Sequence, residues 1–133
     1  SSYEFVSAEV IDTIKYIDNI NFRKKHFKSR IDMESQLYEK TSDEFYNIKK
    51  DSIILAGIDS IQNLMGDKVN EDVAYLYNYK FRGKNKLGAV VLDEYFIYIS
   101  PNWEVIQMTN DRKNLYENPG DFPGYIDLVK KNL

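Results

Sequence analysis

Residues 73–108, VAYLYNYKFRGKNKLGAVVLDEYFIYISPNWEVIQM, carry the one sustained two-residue alternation in the chain. Val73, Tyr75, Tyr77, Tyr79 and Phe81 fall on one face of an extended strand, and Ala74, Leu76, Asn78 and Lys80 on the other. Residues 82–86 are polar, and Gly83 and Asn85 accept positive φ, so the chain is expected to reverse there. Residues 87–99 then read as a second strand, 100–102 as a turn and 103–108 as a third strand. The expectation is an antiparallel β-meander that helices must cover.

Upstream, Tyr3, Val6, Val10, Ile14 and Ile17 recur at steps of three and four, and acidic residues lie largely elsewhere. This spacing predicts an amphipathic helix over 2–19. The basic run RKKHFKSR at 23–30 is broken by Phe27, and apolar residues at helical spacing continue through Met33, Leu37 and Tyr38. A second helix is expected over 22–39. Thr41-Ser42-Asp43-Glu44 has capping-box form, with Thr41 as the cap and Glu44 three residues on, so another helix opens at 42. Residues 51–65 favour a helix: Ile54, Ile58, Ile61 and Met65 share a stripe, Asp51 can cap and Gly66 can close it. A buried strand over 52–56 is the alternative, because Gly57 costs a helix about 1 kcal/mol. Downstream of the meander, 109–124 is polar and turn-rich, and Tyr125, Leu128, Val129 and Leu133 predict a terminal helix.

Together these elements give an α+β fold: N-terminal helices packed on a C-terminal antiparallel β-meander, with a short C-terminal helix. The 133 residues fit a single domain, mainly helical over 2–66, sheet over 72–108 and helical over 125–133. A chain of this length buries about two-thirds of its unfolded surface, enough for a core without staples. The apolar fraction of 43% separates it from disordered chains. The formal net charge of -3 argues against general nucleic-acid affinity. The absence of cysteine removes disulfides, thiolate catalysis and cysteine-ligated metals.

Four features carry candidate chemistry. The basic patch Arg23, Lys24, Lys25, Lys28 and Arg30 can meet an anionic surface or an acidic partner; its bland reading is a solvated helix face paired with acidic residues. His26, the one histidine, lies inside that run and lacks carboxylate or histidine companions in sequence. Asp93 and Glu94 interrupt an apolar strand and point to opposite faces, marking a bulge, an edge or a general base beside a tyrosine. The row Tyr75, Tyr77, Tyr79 and Tyr95, with Tyr98 and Trp103, lines either a ligand- or partner-binding face or the rim of a core. No phosphate loop, EF-hand or HExxH string is present, so no catalytic residue, cofactor or metal ligand set is assigned.

The tyrosine-rich strand, the turn in YKFRGKNKLGA at 79–89 and the return NWEVI at 102–106 resemble cystatin-like and nuclear-transport-factor-2-like domains. The likeness spans about residues 70–108 and is to small lipoproteins and conjugation-associated proteins of low-GC Gram-positive bacteria. In those families a charged or Asn-containing turn joins two long strands. The resemblance implies a non-enzymatic, extracytoplasmic binding or scaffold domain. Its membrane anchor would be an N-terminal segment absent from this sequence, which opens on Ser1-Ser2 without Met. Tyr75, Tyr77, Tyr79, Tyr95 and Trp103 would then hold a protein partner or small ligand. The alternative is a cytoplasmic immunity, phage or mobile-element protein whose acidity complements one basic partner. A small enzyme with a Tyr/Asp pocket is the third reading.

Overall fold

The structure, a computed structural model, describes residues 4–36 and 41–133. Its elements run β1 (Glu4–Lys15), α1 (Tyr16–Ser35), α2 (Ser42–Met65), a 3-10 turn (Gly66–Asn70), β2 (Asp72–Lys84), β3 (Val90–Ile99), β4 (Val105–Thr109), a 3-10 turn (Arg112–Asn114) and α3 (Tyr125–Lys131). The class is α+β, with a four-stranded antiparallel sheet in the order β1-β2-β3-β4. The chain forms two compact units. One holds the residues up to Lys15 together with Asp72–Gly120; the other holds Tyr16–Glu71 with Asp121–Leu133.

In the sheet unit, the expected N-terminal helix is instead the strand β1, so the order is strand first. Two irregularities in its pairing with β2, between Phe5 and Ser7 and between Val10 and Asp12, explain the misreading. Each bulge adds a residue and shifts the alternation. Phe5, Ala8, Val10 and Thr13 therefore lie opposite Phe81, Tyr79, Tyr77 and Tyr75. Their spacing of three, two and three hides the strand period. The β-branched residues Val6, Val10, Ile11, Thr13 and Ile14 fit the pleated conformation.

The β2–β3 hairpin is longer than the sequence pattern suggests. Gly83 pairs with Val91 inside the ladder, and the reversal falls at 85–89 rather than 82–86. Asn85 builds that turn: its Oδ1 accepts from the N–H groups of Leu87 and Ala89, both at 3.0 Å. Gly88 supplies the positive φ of 80°. The β2–β3 register is unbroken, so Asp93-Glu94 is not a bulge. β4 pairs only with Phe96–Ile99, which leaves the Asp93 region of β3 on an edge.

One face of the sheet is the buried one. Ile14, Ala74, Leu76, Phe96 and Tyr98 cluster there with Ile106 and Leu115. The strap after β4 lies against this cluster. Tyr98 Oη donates to Tyr116 O at 3.4 Å, Gln107 clasps Asn114 O and Tyr116 N, and Arg112 sits 5.8 Å from the Phe96 ring centroid. Val73, expected among the tyrosines, packs instead on this cluster.

In the helical unit, α1 begins at Tyr16, inside the stretch expected to end the first helix, and its described part closes at Ser35. The expected extension through Leu37 and Tyr38 lies outside the described residues. The capping box forms as its sequence predicts: Glu44 N donates to Thr41 Oγ1 at 3.2 Å, and Thr41 N to Glu44 Oε2 at 3.1 Å. The helix it opens runs unbroken to Met65, so residues 51–65 are helix. Gly66 closes it with its N–H on Gln62 O. Gly57 is tolerated because α3 leaves no room for more: a Cβ there would lie 2.5 Å from Leu128 Cδ1. Ile20, Phe27, Ile54, Ile58, Phe122 and Tyr125 form this unit's core. Each such burial contributes about 1.5–3 kcal/mol.

Candidate functional site

The phase of β2 places Tyr75, Tyr77, Tyr79 and Phe81 on the face opposite Leu76 and Ala74. Antiparallel pairing sets Tyr75 against Ile99, Tyr77 against Ile97 and Tyr79 against Tyr95, so those β3 side chains share the same face. β1 contributes Phe5, Ala8, Val10 and Thr13 through its two bulges. The result is a broad apolar and aromatic surface whose side chains are half-buried or exposed. No described element of the sheet unit covers it.

The aromatic rings organise one end of this surface. Phe5 and Tyr79 lie 5.3 Å apart between centroids, Tyr79 and Phe81 5.9 Å, and Phe81 and Tyr95 5.7 Å. With Glu4 they line a shallow depression of about 540 Å³. A smaller hollow of about 190 Å³ adjoins it at Phe81, bounded by Gly83, Lys84, Asn85, Val91 and Asp93. Asp93 is the charged residue of β3 on this face, opposite Phe81, and its Oδ1 accepts from Glu94 N. Glu94 points the other way, where Asn78 Nδ2 donates to it at 3.1 Å.

At the other end of β2, Tyr75 Oη donates to Asp72 Oδ2 at 2.8 Å, and Lys15 Nζ meets Asp72 Oδ1 at 2.9 Å. The hydrogen bonds from Lys15 and Tyr75 hold the Asp72 carboxyl below the usual carboxylate range. The bond to Asp72 holds the Tyr75 hydroxyl proton more tightly than usual. Asp72 is thus a weak base and Tyr75 a weak acid, the reverse of what proton transfer at this pair requires.

Tyr75, Tyr77, Tyr79 and Tyr95 are brought onto one face; Tyr98 and Trp103 are not. Tyr98 is on the buried face, and burial raises its hydroxyl pKa. Trp103 is not the start of a strand: it lies in the turn beyond Ile99, 73% exposed, with φ of 66°. Its N–H donates to Ser100 O at 2.9 Å, and β4 starts only at Val105. Phe81 lies on the face as its alternation with the tyrosines predicts, and Phe5, Val10 and Ile97 join it. Their signal in sequence was the strand phase of β2 carried across its neighbours, obscured for β1 by the bulges.

The basic run is drawn into pairs. Arg23 Nε and Nη2 form two bonds to Asp121, at 3.0 and 2.6 Å, with the guanidinium 4.5 Å from the Tyr125 ring centroid. Asp121 raises the Arg23 pKa through those bonds. Lys24 meets Asp59 at 2.6 Å and also bonds Gln62. Arg30 Nε lies 3.3 Å from Asp51. Lys25, Lys28 and His26 are exposed, and the His26 ring meets the Phe27 ring edge-on. Arg23 and Arg30 share the helical stripe of Ile20 and Phe27, which is why they turn inward while Lys25 and Lys28 do not.

Among the described residues no three His, Asp or Glu side chains gather closely enough to hold a metal ion, and no helix is long and apolar enough to cross a membrane. Comparison with family models, curated proteins and solved structures finds no match to this chain.

Proposed function

We propose that the protein is a non-enzymatic binding or scaffold domain whose aromatic sheet face takes an uncharged, apolar segment of a protein partner. The observation that carries this is the contiguous surface of Phe5, Tyr77, Tyr79, Phe81 and Tyr95 on the side of the sheet opposite its core, which no described element of the sheet unit covers. Tyrosine and phenylalanine supply large, stiff contact area at little entropic cost, and tyrosine keeps the face soluble when empty. Charge on the face is confined to Glu4 and Asp93 at the rim of an aromatic centre, which favours an apolar segment over an ionic ligand. The Asn85 turn between the 13-residue β2 and the 10-residue β3 supports the cystatin-like or nuclear-transport-factor-2-like resemblance, which stays part of this proposal. An extracytoplasmic, membrane-anchored location follows from that resemblance.

The test is partner recovery from the native host by the wild-type chain and by Tyr79→Ser/Phe81→Ser. The double variant should keep a cooperative melting transition and lose the partner. Recovery of the same partner by the double variant would overturn the placement. Protease added to intact protoplasts checks the location: a protected protein contradicts it.

A further inference from the structure

We propose that the tip of the β2–β3 hairpin docks on an anionic lipid bilayer. Leu87 enters the boundary between headgroups and acyl chains, and Arg82, Lys84 and Lys86 meet the headgroup phosphates.

Charge is divided unevenly along the chain. From the rung that pairs Arg82 with Leu92 outward, residues 82–92 read RGKNKLGAVVL, with three cations and no anion, whereas the whole chain carries -3. The acidic groups of neighbouring rungs, Glu4 opposite Arg82, Asp93 opposite Phe81 and Glu94 opposite Lys80, sit at or behind that rung. The other cationic run, 23–30, is partly neutralised by Asp121, Asp59 and Asp51. The tip is therefore a positive end on an acidic chain, and an anionic surface attracts it.

Apolar groups stand at the same end. Leu87 is 93% exposed, Val90 67% and Leu92 60%. Val90 and Leu92 pair with Lys84 and Arg82, so apolar and cationic side chains alternate across the hairpin. Interfacial segments place apolar side chains about 5–10 Å into the headgroup boundary, while long cationic side chains reach back to the phosphates. Three residues at about 3.3 Å each separate the Arg82–Leu92 rung from the closure at Asn85 and Ala89, a reach that matches this depth.

The turn also satisfies its own backbone. Asn85 N donates to Ala89 O at 2.9 Å and Gly88 N to Asn85 O at 3.0 Å, and the N–H groups of Leu87 and Ala89 reach Asn85 Oδ1. These four donors need no water, which removes much of the cost of carrying a turn out of it. Behind the turn, β1 pairing stops at Arg82 and β4 pairing begins only at Phe96, so the strand edges keep open backbone groups. Entry thus ends at the turn, and the strands stay among the headgroups.

This contact is independent of the aromatic face and needs no protein partner. Sedimentation of the full chain with phosphatidylglycerol or phosphatidylcholine vesicles tests it. Three cations at about fivefold each and one leucine at about tenfold give reversible binding, half complete near roughly 1 mM phosphatidylglycerol. Phosphatidylcholine should bind at least about thirtyfold more weakly. Leu87→Asn should lose about tenfold, and Lys84→Gln/Lys86→Gln about twentyfold; all three side chains are exposed, so the fold is not at stake. Because the chain has no cysteine, Leu87→Cys and Ser60→Cys each carry one environment-sensitive fluorophore. The label at 87 should shift to the blue on phosphatidylglycerol vesicles, and the label at 60, on α2, should not. No binding at several times that lipid concentration, equal binding to both lipids, wild-type binding by either variant, or a label at 87 that stays in water overturns the proposal. A dimer that Leu87→Asn disrupts, without vesicle binding, would assign the tip to a second copy and overturn it too.

Discussion

Phe81 and Tyr95 stack nearly parallel, their ring centroids 5.7 Å apart and their planes 13° apart, on the side of the sheet opposite the buried Leu76 and Tyr98. This divides β2 into two sides with different work. Leu76 is 3% exposed, whereas its neighbour Tyr77 is half-buried on the open side. Leu76→Ala should cost about 2–5 kcal/mol, and Tyr77→Ala nearer 1 kcal/mol. Urea denaturation of the two variants checks the assignment, and equal losses would show that both faces are core.

Gly57 tests the packing of α3 on α2. Alanine improves helix propensity by about 1 kcal/mol, but its Cβ would lie 2.5 Å from Leu128 Cδ1 and 2.9 Å from Cδ2. Overpacking of this kind costs about 1–3 kcal/mol, so Gly57→Ala should be net destabilising. Adding Leu128→Ala should relieve the clash, and the double-mutant cycle should show a coupling above about 0.5 kcal/mol.

Trp103 holds a left-handed conformation that a bulky side chain does not favour. Its side chain is 73% exposed and contributes little burial in return. Trp103→Gly should therefore stabilise the chain by about 1 kcal/mol, measured as a higher melting temperature. A destabilised variant would show that the indole has a packing role.

The Lys15–Asp72–Tyr75 group sets an acid-side pH dependence. Its carboxyl is depressed in the folded state, so its contribution is present above the unfolded value of about 3.9 and is lost as pH falls through the folded one. Carboxyl carbon shifts followed by NMR should show Asp72 titrating below the unfolded aspartate value of about 3.9. Lys15→Met should move it up more than Tyr75→Phe does, because the Lys15 hydrogen bond is the larger cause.

Local rules carried the sequence reading where one period or one cap ruled a segment. The alternation of Tyr75, Tyr77 and Tyr79 gave the open face of β2, and Thr41 with Glu44 gave the start of α2. β1 was not legible because Val6, Val10 and Ile14 fall at helical steps in sequence, although the pairing puts Val10 opposite Tyr77 and Ile14 opposite Ala74, on different faces of the strand. Trp103 was read as strand because the turn of 100–102 extends one residue further through an unusual φ. Asp51 looked like a cap, although its spacing to Ile54, Ile58, Ile61 and Met65 already placed it on the buried stripe. Its pairing with Arg30 depends on where α1 comes to lie, which no local pattern encodes.

The most direct measurement of the central claim is site-specific photo-crosslinking in the native host. A benzophenone side chain replaces Tyr79 or Tyr95 on the sheet face, or Tyr46 or Tyr116 at exposed positions elsewhere. The aromatic-face account predicts one discrete protein adduct from positions 79 and 95 and none from 46 and 116. Adducts only from 46 or 116, or no adduct from the face positions, would contradict it.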